Sequence, residues 1–126
     1  MREERGQLTG DLVINELCTL WGRLAGNVTV AAGGKFYLRG RVFGDLKVEA
    51  DGRAHVLGNL QGRLIVMPGA KVVHGGIIGG DVINRGGRLY VEASATTLGK
   101  LKVKEGITLF ASKPPAKSPK RKPPPP

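Results

Sequence analysis

Side chains that carry out chemistry are few in this chain, and their spacing is poor for it. His55, His74 and Cys18 are the only imidazoles and the only thiol. A zinc centre needs three or four converging ligands, and two histidines with one distant cysteine and no acidic cluster do not supply them. Ser94, Ser112 and Ser118 are the only serines, and none sits in a Gly-x-Ser-x-Gly elbow. No nucleophile, base and orienting group fall together. The run Gly75-Gly76-Ile77-Ile78-Gly79-Gly80 has the glycines of a phosphate loop but lacks the Gly-Lys-[Ser/Thr] ending and a following helix. The expectation is therefore no catalytic, cofactor-binding or metal-binding residue, and a protein that is not an enzyme.

Charge is the stronger signal. The formal net charge is +10, from 20 basic and 10 acidic side chains, which predicts attraction to something acidic. Half of it lies in Lys113, Lys117, Lys120, Arg121 and Lys122. They belong to a Pro-rich tail, residues 111–126, that cannot bury a core and is expected to be extended and disordered. That tail is either a solubilising spacer or a docking segment. Its polyproline stretches suit aromatic grooves, and its cations suit phosphates or headgroups. Basic charge without interleaved aromatics argues against sequence-specific nucleic-acid reading. A second basic set, Lys35, Arg53, Lys71 and Arg88, recurs at spacings of 18, 18 and 17. It reads as a solvated face or as a basic stripe for an acidic partner.

The elements that position these residues follow from a repeat. Segments opening on glycine align as Gly10-Asp-Leu-Val-Ile, Gly26-Asn-Val-Thr-Val, Gly44-Asp-Leu-Lys-Val, Gly62-Arg-Leu-Ile-Val, Gly80-Asp-Val-Ile and Gly99-Lys-Leu-Lys-Val. An apolar residue also recurs every sixth position: Val30, Phe36, Val42, Val48, Ala54, Leu60, Val66, Val72, Ile78. Amphipathic helices would show steps of three and four instead. Two or three alternating apolar positions followed by a corner describe very short strands. Three such strands per 18 residues make a triangular coil, and each coil stacks about 4.8 Å above the last. The fold class is all-β: a single parallel β-helix (β-solenoid) of about six coils over residues 8–110, preceded by a disordered segment, 1–7. In this alignment His74 falls in the inward column of Leu38 and Val56, and His55 falls between columns. The Asp or Asn after the opening glycine (Asp11, Asn27, Asp45, Asp81) suits a turn, because its side chain can bond nearby backbone N–H groups.

One coil cannot bury its own inner face, so neighbours do it and the two ends stay open. No capping helix is visible. Leu8 and Leu12 approach one end, and Ile107, Leu109 and Phe110 the other. These five are the expected contact for end-to-end polymerisation. The single cysteine fits a reducing cytosol, no run of 18 apolar residues exists, and Met1 to Gly6 lacks the apolar core of a secretory signal. The expected location is cytoplasmic.

The ladder Gly26-Asn-Val, Gly44-Asp-Leu, Gly58-Asn-Leu and Gly80-Asp-Val resembles the bactofilins, the polymer-forming cytoskeletal proteins of bacteria. So does the closing stretch Arg88-Leu-Tyr-Val-Glu followed by Gly99-Lys-Leu, with a Pro- and Lys-rich tail after it. The resemblance implies a right-handed triangular β-helix. It implies nucleotide-free, non-polar filaments joined through terminal coils, a role that Phe110 would fill. It also implies scaffolding of cell-envelope or chromosome-segregation proteins, some members lying at the inner membrane through a short apolar N-terminal stretch. Met1 to Gly10 is charged with one leucine, so membrane contact finds no support here. The family's Glu-Gly-Ala-type turn reads Glu92-Ala93-Ser94-Ala95, which predicts distorted final turns. Two other classes fit the pattern. One is a left-handed hexapeptide-repeat acyltransferase-like trimer, since handedness cannot be read from the repeat. The other is a basic nucleic-acid-binding module acting through the tail.

Overall fold

The computed structural model describes residues 2–111, and all regular structure among them is β-strand. The chain winds through successive circuits of three strands. The first holds β1 (Arg2–Glu4), β2 (Gln7–Thr9) and β3 (Leu12–Ile14). The second holds β4 (Leu17–Leu20), β5 (Arg23–Ala25) and β6 (Val28–Val30). The third holds β7 (Lys35–Leu38), β8 (Arg41–Val42) and β9 (Leu46–Val48). The fourth holds β10 (Arg53–Val56), β11 (Asn59–Leu60) and β12 (Leu64–Val66). The fifth holds β13 (Lys71–His74), β14 (Ile77–Ile78) and the first half of β15 (Val82–Val91). The second half of β15 opens the sixth, which continues through β16 (Thr96–Thr97) into β17 (Leu101–Phe110).

Every pairing is parallel and joins one circuit to the next. Three faces result. Face one stacks β1, β4, β7, β10, β13 and the second half of β15. Face two stacks β2, β5, β8, β11, β14 and β16. Face three stacks β3, β6, β9, β12 and the first half of β15. This is the all-β solenoid of about six coils expected from the repeat.

The sixth-residue column accounts for the core. All nine residues from Val30 to Ile78 are buried, as are their partners Leu38, Leu46, Val56 and Leu64. Inward side chains therefore lie on like side chains of the neighbouring circuit, and the core is a set of aliphatic stacks that needs few rings. Cys18 belongs to it, fully buried in register with Phe36. So does His74, in register with Val56.

Backbone geometry explains the corners. Between faces one and two, Arg39 and Gly40 both donate their N–H to the Leu20 carbonyl, at 2.9 and 2.8 Å, and Leu57 and Gly58 repeat this on Leu38. The backbone is then pressed so close to the circuit below that a Cβ on Gly40 would collide with the Gly22 carbonyl oxygen. Between faces three and one, Gly52 donates to Glu49 and Ala70 to Met67, closing four-residue turns. The third residue of these turns has positive φ: Gly33 at 81°, Asp51 at 64°, Gly69 at 84°. Pro68 ahead of Gly69 is the type II signature.

Two features depart from the sequence reading. Residues 2–7 are not a disordered lead-in, because Arg2–Glu4 already pairs with β4. Backbone pairing needs no apolar side chain, and Trp21 and Gly22 both donate to the Glu4 carbonyl. The strands are not all short, since β15 and β17 run ten residues each through a corner. That corner in β15 is one residue shorter than the three before it, and the buried Asn84 fills the gap. Its Oδ1 accepts the N–H of Gly86 and Gly87 at 3.0 and 2.9 Å, and its Nδ2 donates to the carbonyls of Gly87 and Ile107 and to Thr108 Oγ1. The Asp and Asn side chains do bond nearby backbone N–H groups, and these belong to the next circuit. Asn27, Asp45, Arg63 and Lys100 donate their backbone N–H to the side-chain oxygens of Asp11, Asn27, Asp45 and Asp81.

Candidate functional site

At the C-terminal rim no described residue roofs the core. In register, Leu101 lies over Val82, Val103 over Asn84, Thr108 over Leu89 and Phe110 over Val91. These four occupy the inward columns of the last circuit, yet Leu101 is 38%, Val103 50% and Phe110 61% exposed. Val91, Thr97, Leu101 and Phe110 border an open hollow of about 400 Å³. The outer edge of β17 carries the unpaired N–H and C=O groups of a sheet edge.

Phe110 is thus placed as expected. Ile107 and Leu109 are not: they register with Arg88 and Tyr90, whose side chains are exposed on face one. Both line the lateral groove of that face. The sequence reading took them as end residues because they are apolar and late in the chain, but the register shifts around Arg85 move them to an outer column. Leu101 and Val103 are the rim residues it missed. The signal was available, since Gly99-Lys-Leu-Lys-Val aligns with Gly62-Arg-Leu-Ile-Val, whose Leu64 and Val66 are core.

At the N-terminal rim, Leu8 and Leu12 are half-buried and pack against the core, in register with Leu24 and Val28. Glu4 lies in register with the buried Leu20. The first circuit thus offers a charged position beside its two leucines, and the two ends of the rod differ chemically.

Lys35, Arg53, Lys71 and Arg88 form one exposed column on face one. Beside it runs a column of Tyr37, His55, Val73 and Tyr90, and between them lies a shallow groove of about 650 Å³. His55 is partly exposed, with Nε2 3.7 Å from Glu92 Oε1. The tail cations Lys113, Lys117, Lys120, Arg121 and Lys122 lie outside the described residues.

Among the buried titratable groups, His74 has a displaced pKa. Burial pushes its imidazole below the ordinary histidine pKa, against the upward pull of the Thr96 backbone and the Glu92 carboxylate. Nε2 sits 3.1 Å from Thr97 Oγ1 and Nδ1 has no partner. Among the described residues no three His, Cys, Asp or Glu side chains cluster as metal ligands, and no helix is long and apolar enough to cross a membrane. On the outer ladder, burial pushes the Asp45 carboxyl up, but the Arg63 N–H and guanidinium more than offset this and hold it below the usual range. The Lys100 N–H lowers that of Asp81.

Comparison with known proteins returns no matching family model, no matching curated protein and no matching solved structure.

Proposed function

We propose that this chain is a structural scaffold of the bactofilin kind. It self-assembles without nucleotide, through the terminal coils of its β-helix, into cytoplasmic filaments that position cell-envelope or chromosome-segregation proteins. One observation carries the reading: the aliphatic stacks that make the core continue to the last circuit and end there uncovered, at Leu101, Val103 and Phe110. Covering them with the same rim of a second copy removes apolar surface on both partners. At about 1.5–3 kcal/mol for a fully buried large side chain, half-exposed residues contribute about 1 kcal/mol each. Three residues on each of two copies reach the lower end of the roughly 4–15 kcal/mol that association costs. Strand pairing across the junction adds to this, so assembly is concentration-dependent. The N-terminal rim, with Leu8 and Leu12, supplies the second contact that a filament requires. The basic Pro-rich tail is then the segment that docks partners.

Gel filtration and negative-stain microscopy of the purified chain test the reading. Size-heterogeneous polymer that Phe110→Arg abolishes, with the β-type circular dichroism kept, is the expected result. A particle of fixed trimeric size favours the acyltransferase-like alternative instead.

A further inference from the structure

We infer that the N-terminal half of face two is a binding groove for single-stranded nucleic acid. Two columns of side chains meet there. At the corner, Arg5, Trp21 and Arg39 occupy the same position in successive circuits, each directly before a glycine. The two guanidinium carbons lie 5.0 and 5.1 Å from the indole ring centroid, so the three groups form an Arg–Trp–Arg stack. On the strands, Arg23 stands in direct register with Arg41, and Asn59 follows in the next circuit.

The cation–π contacts to Trp21, and that of Arg41 to Phe43 at 6.0 Å, favour the fold, but the direct register of Arg23 with Arg41 does not. Arg5 pairs with Glu3 at 3.1 Å, but among the described residues no carboxylate lies within ion-pair distance of Arg23, Arg39 or Arg41. Like charges directly opposite one another on neighbouring strands are destabilising. The other such column, Lys35, Arg53, Lys71 and Arg88 on face one, likewise has no carboxylate within ion-pair distance among the described residues. A ligand that relieves the repulsion between Arg23 and Arg41 must be anionic, and here these cations stand beside an Arg–Trp–Arg stack.

Its shape follows from the groove. The hollow holds about 800 Å³ and runs along the solenoid axis over a floor of Gly22, Gly40 and Gly58 backbone. An open hollow that follows the axis receives a linear polymer laid along it. The indole is also held between two guanidinium groups, which keeps it from inserting among lipid chains. All the cations here are arginine, whereas face one mixes in lysine. The planar guanidinium grips phosphate in two-point fashion and stacks on bases, which the lysine ammonium does not. In the bound state, Arg23 and Arg41 hold consecutive phosphates. Bases stack on the outward guanidinium planes of Arg5 and Arg39, and the Asn59 amide meets a base edge. This groove is lateral, so the proposal stands independently of end-to-end assembly.

Trp21 is the only tryptophan in the chain, so its emission reports on this groove alone. The full-length protein is titrated with a dT20 oligonucleotide, a U20 oligonucleotide and phosphatidylglycerol vesicles. The expected result is saturable quenching by an oligonucleotide. R23E/R41E should weaken it by about tenfold or more and flatten its salt dependence by about 1.4 in slope, because two phosphates are no longer neutralised. K35E/K71E, with the same charge change on face one, should shift it by less than threefold. If R23E/R41E does not fold, R23Q/R41Q replaces it. Unchanged Trp21 emission on adding either oligonucleotide overturns the proposal, because binding then lies elsewhere, as on the tail. Equal weakening in both double variants, or quenching by vesicles alone, overturns it too.

Discussion

Asn84 offers a sharp test of how the irregular corner is held. Its position continues the column of Val30, Val48 and Val66, so a consensus view of the repeat would restore valine there. The structure predicts that Asn84→Val destabilises. Gly87 is buried and Gly86 partly so, and their N–H groups both donate to Asn84 Oδ1, at 2.9 and 3.0 Å. A buried group left without a partner costs about 1–3 kcal/mol. Two such groups lose roughly 4 kcal/mol, while a buried valine side chain returns roughly 2. Asn84→Val should therefore be about 2 kcal/mol less stable than the parent, and Asn84→Ala, with less apolar compensation, about 3. Urea unfolding followed by circular dichroism measures this, in a Phe110→Arg background so that assembly does not contribute. With a slope of about 1–3 kcal/mol/M, the valine variant's midpoint falls by roughly 1 M. A valine variant as stable as the parent would refute the claim that side-chain hydrogen bonds replace the missing corner residue.

Two further outcomes follow from single residues. His74 titrates below its ordinary value because it is buried, so the folded chain binds fewer protons than the unfolded one and stability drops as pH falls below about 6.5. His74→Leu, matching Leu20 and Leu38 in the column, should flatten thermal stability between pH 7 and 5; an unchanged slope would place the pH dependence elsewhere. Asp51 holds φ at 64° where the equivalent turns use Gly33 and Gly69. Asp51→Gly should raise stability by about 1 kcal/mol, read from the same urea titration, and a loss of that size would mean the side chain contributes something the turn geometry does not.

The regular coils were legible in the sequence because stacking demands the same residue at the same step. Val30 through Ile78 could be counted off by sixes, and all nine are core. Counting fails after Asn84, where the next inward residue is Leu89 and not Tyr90. A corner shortened by one residue and bridged by a side chain leaves no periodic mark. The same slip misplaced Ile107 and Leu109. The N-terminal strand was hidden for a different reason, since Arg2–Glu4 is held by backbone bonds that no side-chain pattern announces. The Arg5–Trp21–Arg39 stack joins residues 16 and 18 positions apart, and it emerges only once the circuits are set in register.

The central claim is that the parallel stack of strands within one molecule is continued by the next molecule at the uncovered rim. Diffraction from aligned filaments of the purified chain tests this directly. End-to-end stacking predicts a reflection near 4.8 Å along the filament axis, absent when Phe110→Arg prevents assembly. Filaments whose 4.8 Å reflection lies across the axis, or whose formation survives charge at Phe110 and Leu101 together, would contradict it.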